Sequence, residues 1–432
     1  MNPSRRWTAL IAFALAPAGA AETYSGAPAD YLSLLKKLQP GDTLTLAAGD
    51  YTGGLPVHNL VGQRGKPIVI AGPRGQQRAR FLARQDTHTV SIVNSAWIEI
   101  RNLELEGNGL PVAAVRAEGY SDWAHHITLD NLTIRGHGSG QQTVGIASFC
   151  PAWDWVIRNN TIIGAGTGMY LGQSDGSAPF VAGLIERNLI VDSIGYNLQI
   201  KHQLPRPHID GMPEGDSVTI IRHNVFVKSE NGSTAEAARP NLLVGHWPLA
   251  GPGMNDTYAI YGNFFYQNPT EALFQGEGNI AFYSNVLVNT AGDAINIRPH
   301  NDVPRRIDIF HNTVLAGGSG IRVTGGHPEY VQRVVANAIF ATVPITGGEQ
   351  LANSIGSFAE AADQLANPYA ALGQLDLAPV AGKLVTTPID VWPPVPVPDL
   401  NRDFEGRGYA APRAGAYAES VANWRLRIAP KR

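Results

Sequence analysis

Between positions 173 and 300 the chain collects side chains that move protons and hold anions: Tyr196, Lys201, His202, His208, Asp210, Arg239, His246, Arg298 and His300, with Gln173 and Asp175 ahead of them. A lysine that serves as a base must lose its own proton first. Arg206, Arg222 and Arg239 as neighbours of Lys201 would lower its pKa by repulsion. His246 or Tyr196 would return the proton, and Arg239 and Arg298 would clamp an anionic group. Gln173, His202, His208 and His300 would line the ligand, and Trp247 would stack on a ring. Carboxylates in the same stretch offer a second scheme. Among Asp175, Asp210, Glu214, Asp216 and Glu230, two at the right separation would hydrolyse a glycoside, and Asp175 with Asp210 could hold Ca²⁺; otherwise the site needs no cofactor. No zinc, P-loop, dinucleotide-binding or Ser-His-Asp signature stands in a matching context.

A repeat must position these residues. Residues 184–203 read as an apolar run, an Asn, a second apolar run, a Gly-containing break and an alternating strand with a polar end. The pattern recurs at Asn102, Asn131, Asn160, Asn188, Asn224, Asn263, Asn285, Asn312 and Asn337, at spacings of 29, 29, 28, 36, 39, 22, 27 and 25 residues. Such a period means stacked units that bury their apolar faces only against each other. Short strands without a convincing helix make each unit one coil of a parallel β-helix. The Asn column reads as structural: Asn tolerates a left-handed turn, and its amide can bond to the Asn of the next coil. Apolar residues one and three places after each Asn (Leu103/Leu105, Leu132/Ile134, Leu189/Val191, Val225/Val227, Val286/Val288) are expected to point inward.

The following strands align as 169–172, 198–201, 242–245, 272–275 and 295–298, which turns Leu198 and Ile200 inward and Gln199 and Lys201 outward. With strands about 4.8 Å apart, Lys201 and His246 become neighbours and Arg298 lies about 14 Å from Lys201 along the axis. That separation suits adjacent ligand subsites. The two longest intervals carry the insertions 202–217 and 228–239, with 246–257 prolonging the second coil. Insertions in a solenoid become loops on one side, commonly the binding side.

Residues 30–38 have apolar side chains at helical spacing and would cap the first coil. The segment LQPGDTLTLAAGDYTGGL at 38–55 and GKPIVIAGP at 65–73 resembles the N-terminal coil of the secreted right-handed β-helix polysaccharide lyases, among them alginate lyases and chondroitinase B–type enzymes. The likeness extends as a repeat pattern through Asn337. Residues 401–417 resemble the D-x-x-G…GAYE closing segment of secreted bacterial β-helix proteins. The resemblance implies an all-β, right-handed parallel β-helix (pectin lyase-like) that cleaves an anionic, uronic-acid-containing polysaccharide by β-elimination. There Lys201 would be the base, His246 or Tyr196 the donor, and Arg239 and Arg298 the carboxylate clamps. C5-epimerisation begins with the same proton removal. A β-helix glycoside hydrolase and a non-catalytic glycan-binding β-helix are the other readings. The acidic Ca²⁺-ligating motif of that lyase family is missing, and residues 207–210 only loosely echo the Asp-Pro-His of mannuronan epimerases.

Residues 1–21 read as a secretory signal, with Arg5 and Arg6, an apolar run at 7–16 and an Ala-Gly-Ala cleavage pattern. No later stretch reaches the roughly 20 apolar residues of a membrane span, so the mature chain is expected in the periplasm or outside the cell. Charged residues are 16% of the chain and the net charge is -3, which argues against a non-specific nucleic-acid binder. Cys150 stands alone, so no intramolecular disulfide forms. The expected order is an N-terminal cap with the first coil at 22–60, coils at 61–345, and a C-terminal cap and tail at 346–432. In that tail 358–365 would be a short helix and the Pro-rich 392–398 would lie along the coils. Both ends capped suggests a monomer.

Overall fold

The computed structural model describes residues 20–389 and 397–431. Residues 1–19 of the expected signal segment and residues 392–396 of the Pro-rich strip lie outside the described residues. Parallel strands succeed one another in three columns, each visited once per coil. The first column starts with Thr23–Gly26, Thr43–Leu46 and Ile68–Ala71 and ends at Glu349–Leu351. The second starts with Gly49–Tyr51 and Ala79–Leu82 and ends at Ser354–Gly356. The third runs from Leu55–His58 and Val90–Val93 through Leu198–Ile200, Leu242–Val244 and the far half of Thr313–Val323 to the far half of Ala338–Thr346. This is a parallel β-helix. Its interior is a single apolar stack from Tyr31 to Ala341 that includes Leu198, Ile200, Leu242 and Val244. Among the described residues no helix is long and apolar enough to cross a membrane.

The Asn repeat resolves into two columns one residue apart. Asn160, Asn188, Asn224, Asn263, Asn285, Asn312, Asn337 and Asn353 form a buried ladder in which each side-chain N–H donates to the next side-chain oxygen at 2.9–3.1 Å. None of these is left-handed. The left-handed position is the residue before: Asn159, Arg187, His223 and Ser284 have φ of 56°, 54°, 55° and 50°. Asn102 (φ 59°) and Asn131 (φ 55°) belong to that column, and Leu132 takes the ladder place beneath Asn160. The side chains follow, because a one-residue shift reverses the faces of a strand. Leu103, Leu105, Leu132 and Ile134 point inward as expected. In the later coils Ile190, Phe226 and Leu287 point inward instead, while Leu189, Val225, Val227, Val286 and Val288 join an outer cluster.

That outer cluster explains the apolar residues on the wrong face. The tail residues Phe404, Ala414, Ala416 and Tyr417 pack on Val225, Phe264, Val286 and Leu315, so the tail covers the second column. Ile389, Val397 and Leu400 pack on Tyr261, Tyr283 and Phe310 of the first column, and Tyr261 OH donates to Asp399 Oδ2 at 3.0 Å. The described tail residues in these clusters pack on the first and second columns. At the ends, the helix Tyr31–Leu35 is shorter than its apolar spacing suggested, yet Tyr31, Leu35 and Leu38 are buried and seal the first coil. At the other end the repeat runs one coil beyond the expected stop, to Ser354–Gly356. There a 3₁₀ turn Phe358–Glu360, with a Ser357/Glu360 capping box, leads into the helix Ala361–Gln364.

Candidate active site on the third column

Register builds the site. Tyr170, Gln199, Leu243, Gln275 and Asn296 lie side by side on the outward face of the third column. The next outward positions are Gly172, Lys201, Gly245, Glu277 and Arg298, following Leu171, Ile200, Val244, Gly276 and Ile297. Two glycines therefore flank Lys201. A Cβ on Gly245 would lie 2.2 Å from the His202 nitrogen, and one on Gly172 would lie 3.3 Å from Lys201 Cβ. Gly245→Ala is expected to push the 201–202 backbone outward and destabilise the protein by about 1–3 kcal/mol. Urea unfolding measures that cost, and a wild-type midpoint would mean that the notch is slack.

Glu277 is buried, and its Oε2 accepts the main-chain N–H groups of His300, Asn301 and Asp302 at 3.0, 2.9 and 3.0 Å. It clamps the turn that follows Arg298. Gln199 and Asn296 sit low on the face, and Gln275 Nε2 and Asn296 Oδ1 are buried without a hydrogen-bond partner among the described residues. Unpaired buried amides are costly unless something pairs them. Burial lowers the pKa of Lys201, against the pull of Glu277. The arginines expected to do this are engaged elsewhere: Arg206 pairs with buried Asp256, and Arg222 bonds Glu186 and Tyr261 on the first column. Burial also lowers His202, reinforced by Lys201 and opposed by Glu277. Burial pushes Tyr170 up to about 12, with Tyr196 and Asp175 adding to the effect. Tyr196 is raised by burial as well, partly offset by Arg239.

The remaining candidates divide. The Arg239 guanidinium lies 5.9 Å from the Tyr196 ring and donates to the Glu236 and Ala238 carbonyls, each at 2.8 Å. Arg298 and His300 are exposed beyond Glu277, and Gln173 is half-buried one residue past Gly172. His246 is turned inward, its Nδ1 2.5 Å from the Trp247 carbonyl and its Nε2 3.0 Å from that of Val303. Gly245, not His246, is beside Lys201, so His246 has no nitrogen free to serve a ligand. Trp247 is buried and stacked on Tyr258 at 4.1 Å, which removes it as a ring platform. The insertion 202–217 does not cover Lys201. Its Ile209 and Met212 pack on Trp153 and Val181 of the first column, and exposed His208 faces Glu214 at 3.6 Å, with Asp210 exposed between them. Asp175 Oδ1 accepts both the N–H and the hydroxyl of Ser177 in a local turn. Among the described residues no group of three or more His, Cys, Asp or Glu side chains is gathered where it could hold a metal ion.

Glu277 is absent from the sequence-read column because the strand at 272–275 is set two residues away from its true register. Phe274, not Ala272, is the partner of Leu242. Continuing the alternation inward from Phe274 would have put Gln275 beside Leu243 and Glu277 in the Lys201 column.

Compared by sequence, the chain matches no family model and no curated protein. Among solved structures it is similar to a glycoside hydrolase family 136 lacto-N-biosidase from Eubacterium ramulus, 11% identical over 78% of this chain and 68% of that one, with a TM-score of 0.54. It is also similar to the catalytic unit of a family 87 α-1,3-glucanase from Streptomyces thermodiastaticus (11% identity, 80% and 68% covered, TM-score 0.49). A pectate lyase gives 12% identity, 93% and 97% covered, and a TM-score of 0.45. The likeness is one of architecture, that of a parallel β-helix.

Proposed function

We propose that the protein is an exported polysaccharide lyase whose third-column face removes the proton beside a uronate carboxylate. The observation that carries this reading is Lys201. Its half-buried amine has a lowered pKa, between two glycine notches on the outer face of the third column. In the neutral form the amine takes the proton from the carbon next to the carboxylate. The electron pair forms the carbon–carbon double bond, and the bond to the leaving glycosidic oxygen breaks. A tyrosine held in its protonated form, Tyr170 or Tyr196, returns a proton to that oxygen. His202 and the amides of Gln199, Gln275 and Asn296 would hold the sugar. Arg298 and His300, about three strand spacings or ~14 Å away, would hold the carboxylate of a neighbouring unit. Hydrolysis is less well served: it needs two carboxylates flanking the bond. Glu277 is bound to three main-chain N–H groups, and Asp175 to its own turn.

The experiment is ultraviolet absorbance of the purified protein with alginate, pectate, glycosaminoglycans and bacterial uronate exopolysaccharides, with and without Ca²⁺. Rising absorbance from an unsaturated uronate supports elimination, and new reducing ends without it sink the reading. The pH profile has a defined sign. A base must be deprotonated, and the Lys201 pKa lies below the ordinary 10.5. Turnover is therefore expected to rise with pH and to level off below that value. Turnover that falls as pH rises, or that shows no rise anywhere from acid to alkaline pH, would remove Lys201 as the titrating base.

A further inference from the structure

A second polar cluster occupies the same outer face nearer the N-terminus. His58 Nε2 lies 2.9 Å from Ser91 Oγ, and Ser91 donates to Glu118 Oε1 at 2.8 Å. With the serine proton on the carboxylate side, the Ser91 oxygen accepts from His58, which assigns the His58 proton to Nε2. His88 accepts the Ala113 N–H on Nδ1 at 3.0 Å, so its proton is also on Nε2, 4.0 Å from Glu118 Oε2. Arg116 Nε reaches the same carboxylate oxygen at 3.2 Å. Burial lowers the pKa of both histidines and keeps them neutral near pH 7. The cleft over these groups has a volume of about 390 Å³, and Tyr120, 73% exposed, stands among its walls.

The face between this cleft and Lys201 is continuous. Ser91, Arg116, Ala147, Tyr170 and Gln199 are successive partners in the column, which sets the cleft about four strand spacings, ~19 Å, from Gln199. The Arg116 guanidinium lies 4.3 Å over Phe149, and the Phe149 and Tyr170 rings are 5.3 Å apart. Gln173 Nε2 comes within 3.9 Å of the Cβ position of Gly119. Phe149, Tyr170 and the amides of Gln173 and Gln199 therefore lie along the path.

We infer that the His58–Ser91–Glu118 cleft is a distal saccharide subsite for the polymer whose reacting unit lies at Lys201. The His88 Nε2–H donor, the Glu118 carboxylate acceptor and an exposed tyrosine ring match the hydroxyls and the apolar face of a sugar. Arg116 is paired with Glu118, and the cleft walls carry Arg84 together with Asp86, so the subsite has no net positive charge and takes its sugar without requiring a carboxylate there. The inference rests on the polysaccharide reading of the face, and it adds that the preferred substrate is a chain long enough to span roughly 19 Å.

The test compares Tyr120→Ala with wild type on size-fractionated oligosaccharides of whichever polymer the wild type cleaves. The KM ratio of variant to wild type is expected to grow with chain length, reaching about tenfold on chains that span both clefts (~1.4 kcal/mol). A ratio that is flat with length, at one or at any other value, overturns the subsite. If the wild type cleaves nothing, the Lys201 reading fails on its own, and the subsite is judged by migration in gels cast with each polysaccharide. Stronger retardation of wild type than of Tyr120→Ala in one gel supports it, and equal migration in all gels overturns it.

Discussion

Lys201→Ala is expected to lower turnover of the uronate polymer by about 10²–10⁴-fold, the usual contribution of a positioned proton-transfer group. The unfolding midpoint should stay near that of wild type. Lys201 follows Ile200, which is inside the apolar stack, and it points out of the column, so its removal leaves the core intact. Lys201→Arg separates a base from an anion clamp. A guanidinium keeps its charge at every working pH, so the arginine variant should stay inactive while still binding polymer. Recovery of activity in Lys201→Arg would show that the position needs only positive charge and would end its assignment as the base.

Asn224→Ala is expected to destabilise the protein by about 2–5 kcal/mol, read as a shift in the urea midpoint at constant slope. Asn224 Oδ1 accepts both the main-chain and the side-chain N–H of Asn188, at 2.9 and 3.0 Å. Its own amide donates to Ile185 O at 2.9 Å and to Asn263 at 3.0 Å. Alanine removes the partner of two buried Asn188 N–H groups and of the Ile185 carbonyl, while Asn263 Oδ1 keeps the Asn224 main-chain N–H at 2.9 Å, and each orphaned group costs about 1–3 kcal/mol before the coils relax. Asn131→Gly is the contrasting case. Asn131 is half-buried in the left-handed column outside the ladder, where glycine is at ease, so its effect should be smaller by more than half. Equal losses at the two positions would contradict the division into two columns.

That division marks where the sequence stops being legible. The period, the parallel coils and the capping helix at Tyr31 can all be read from apolar spacing and turn residues. Asn, however, satisfies a left-handed turn and a buried ladder equally well, so Asn102 and Asn131 cannot be told from Asn160 by type. A one-residue ambiguity then reversed Val225 and Val227, and only the tail packing on them explains why both faces of that strand are apolar. Lys201 and Arg298 were readable because alternation alone turns them outward. His246 was not: it follows Gly245, where the chain leaves the strand, and its inward path depends on the distant Val303 carbonyl. The cleft at Ser91 joins residues 33 and 27 positions apart, a pairing that exists only once the register is known.

The most direct measurement is to incubate the uronate polymer with the protein in D₂O and to locate deuterium and unsaturation in the products by mass spectrometry and NMR. The account predicts loss of the hydrogen beside the carboxylate, seen as unsaturated ends or as deuterium at that carbon, and its disappearance in Lys201→Ala. Chains shortened with that hydrogen intact, or an unchanged product pattern in Lys201→Ala, would contradict it.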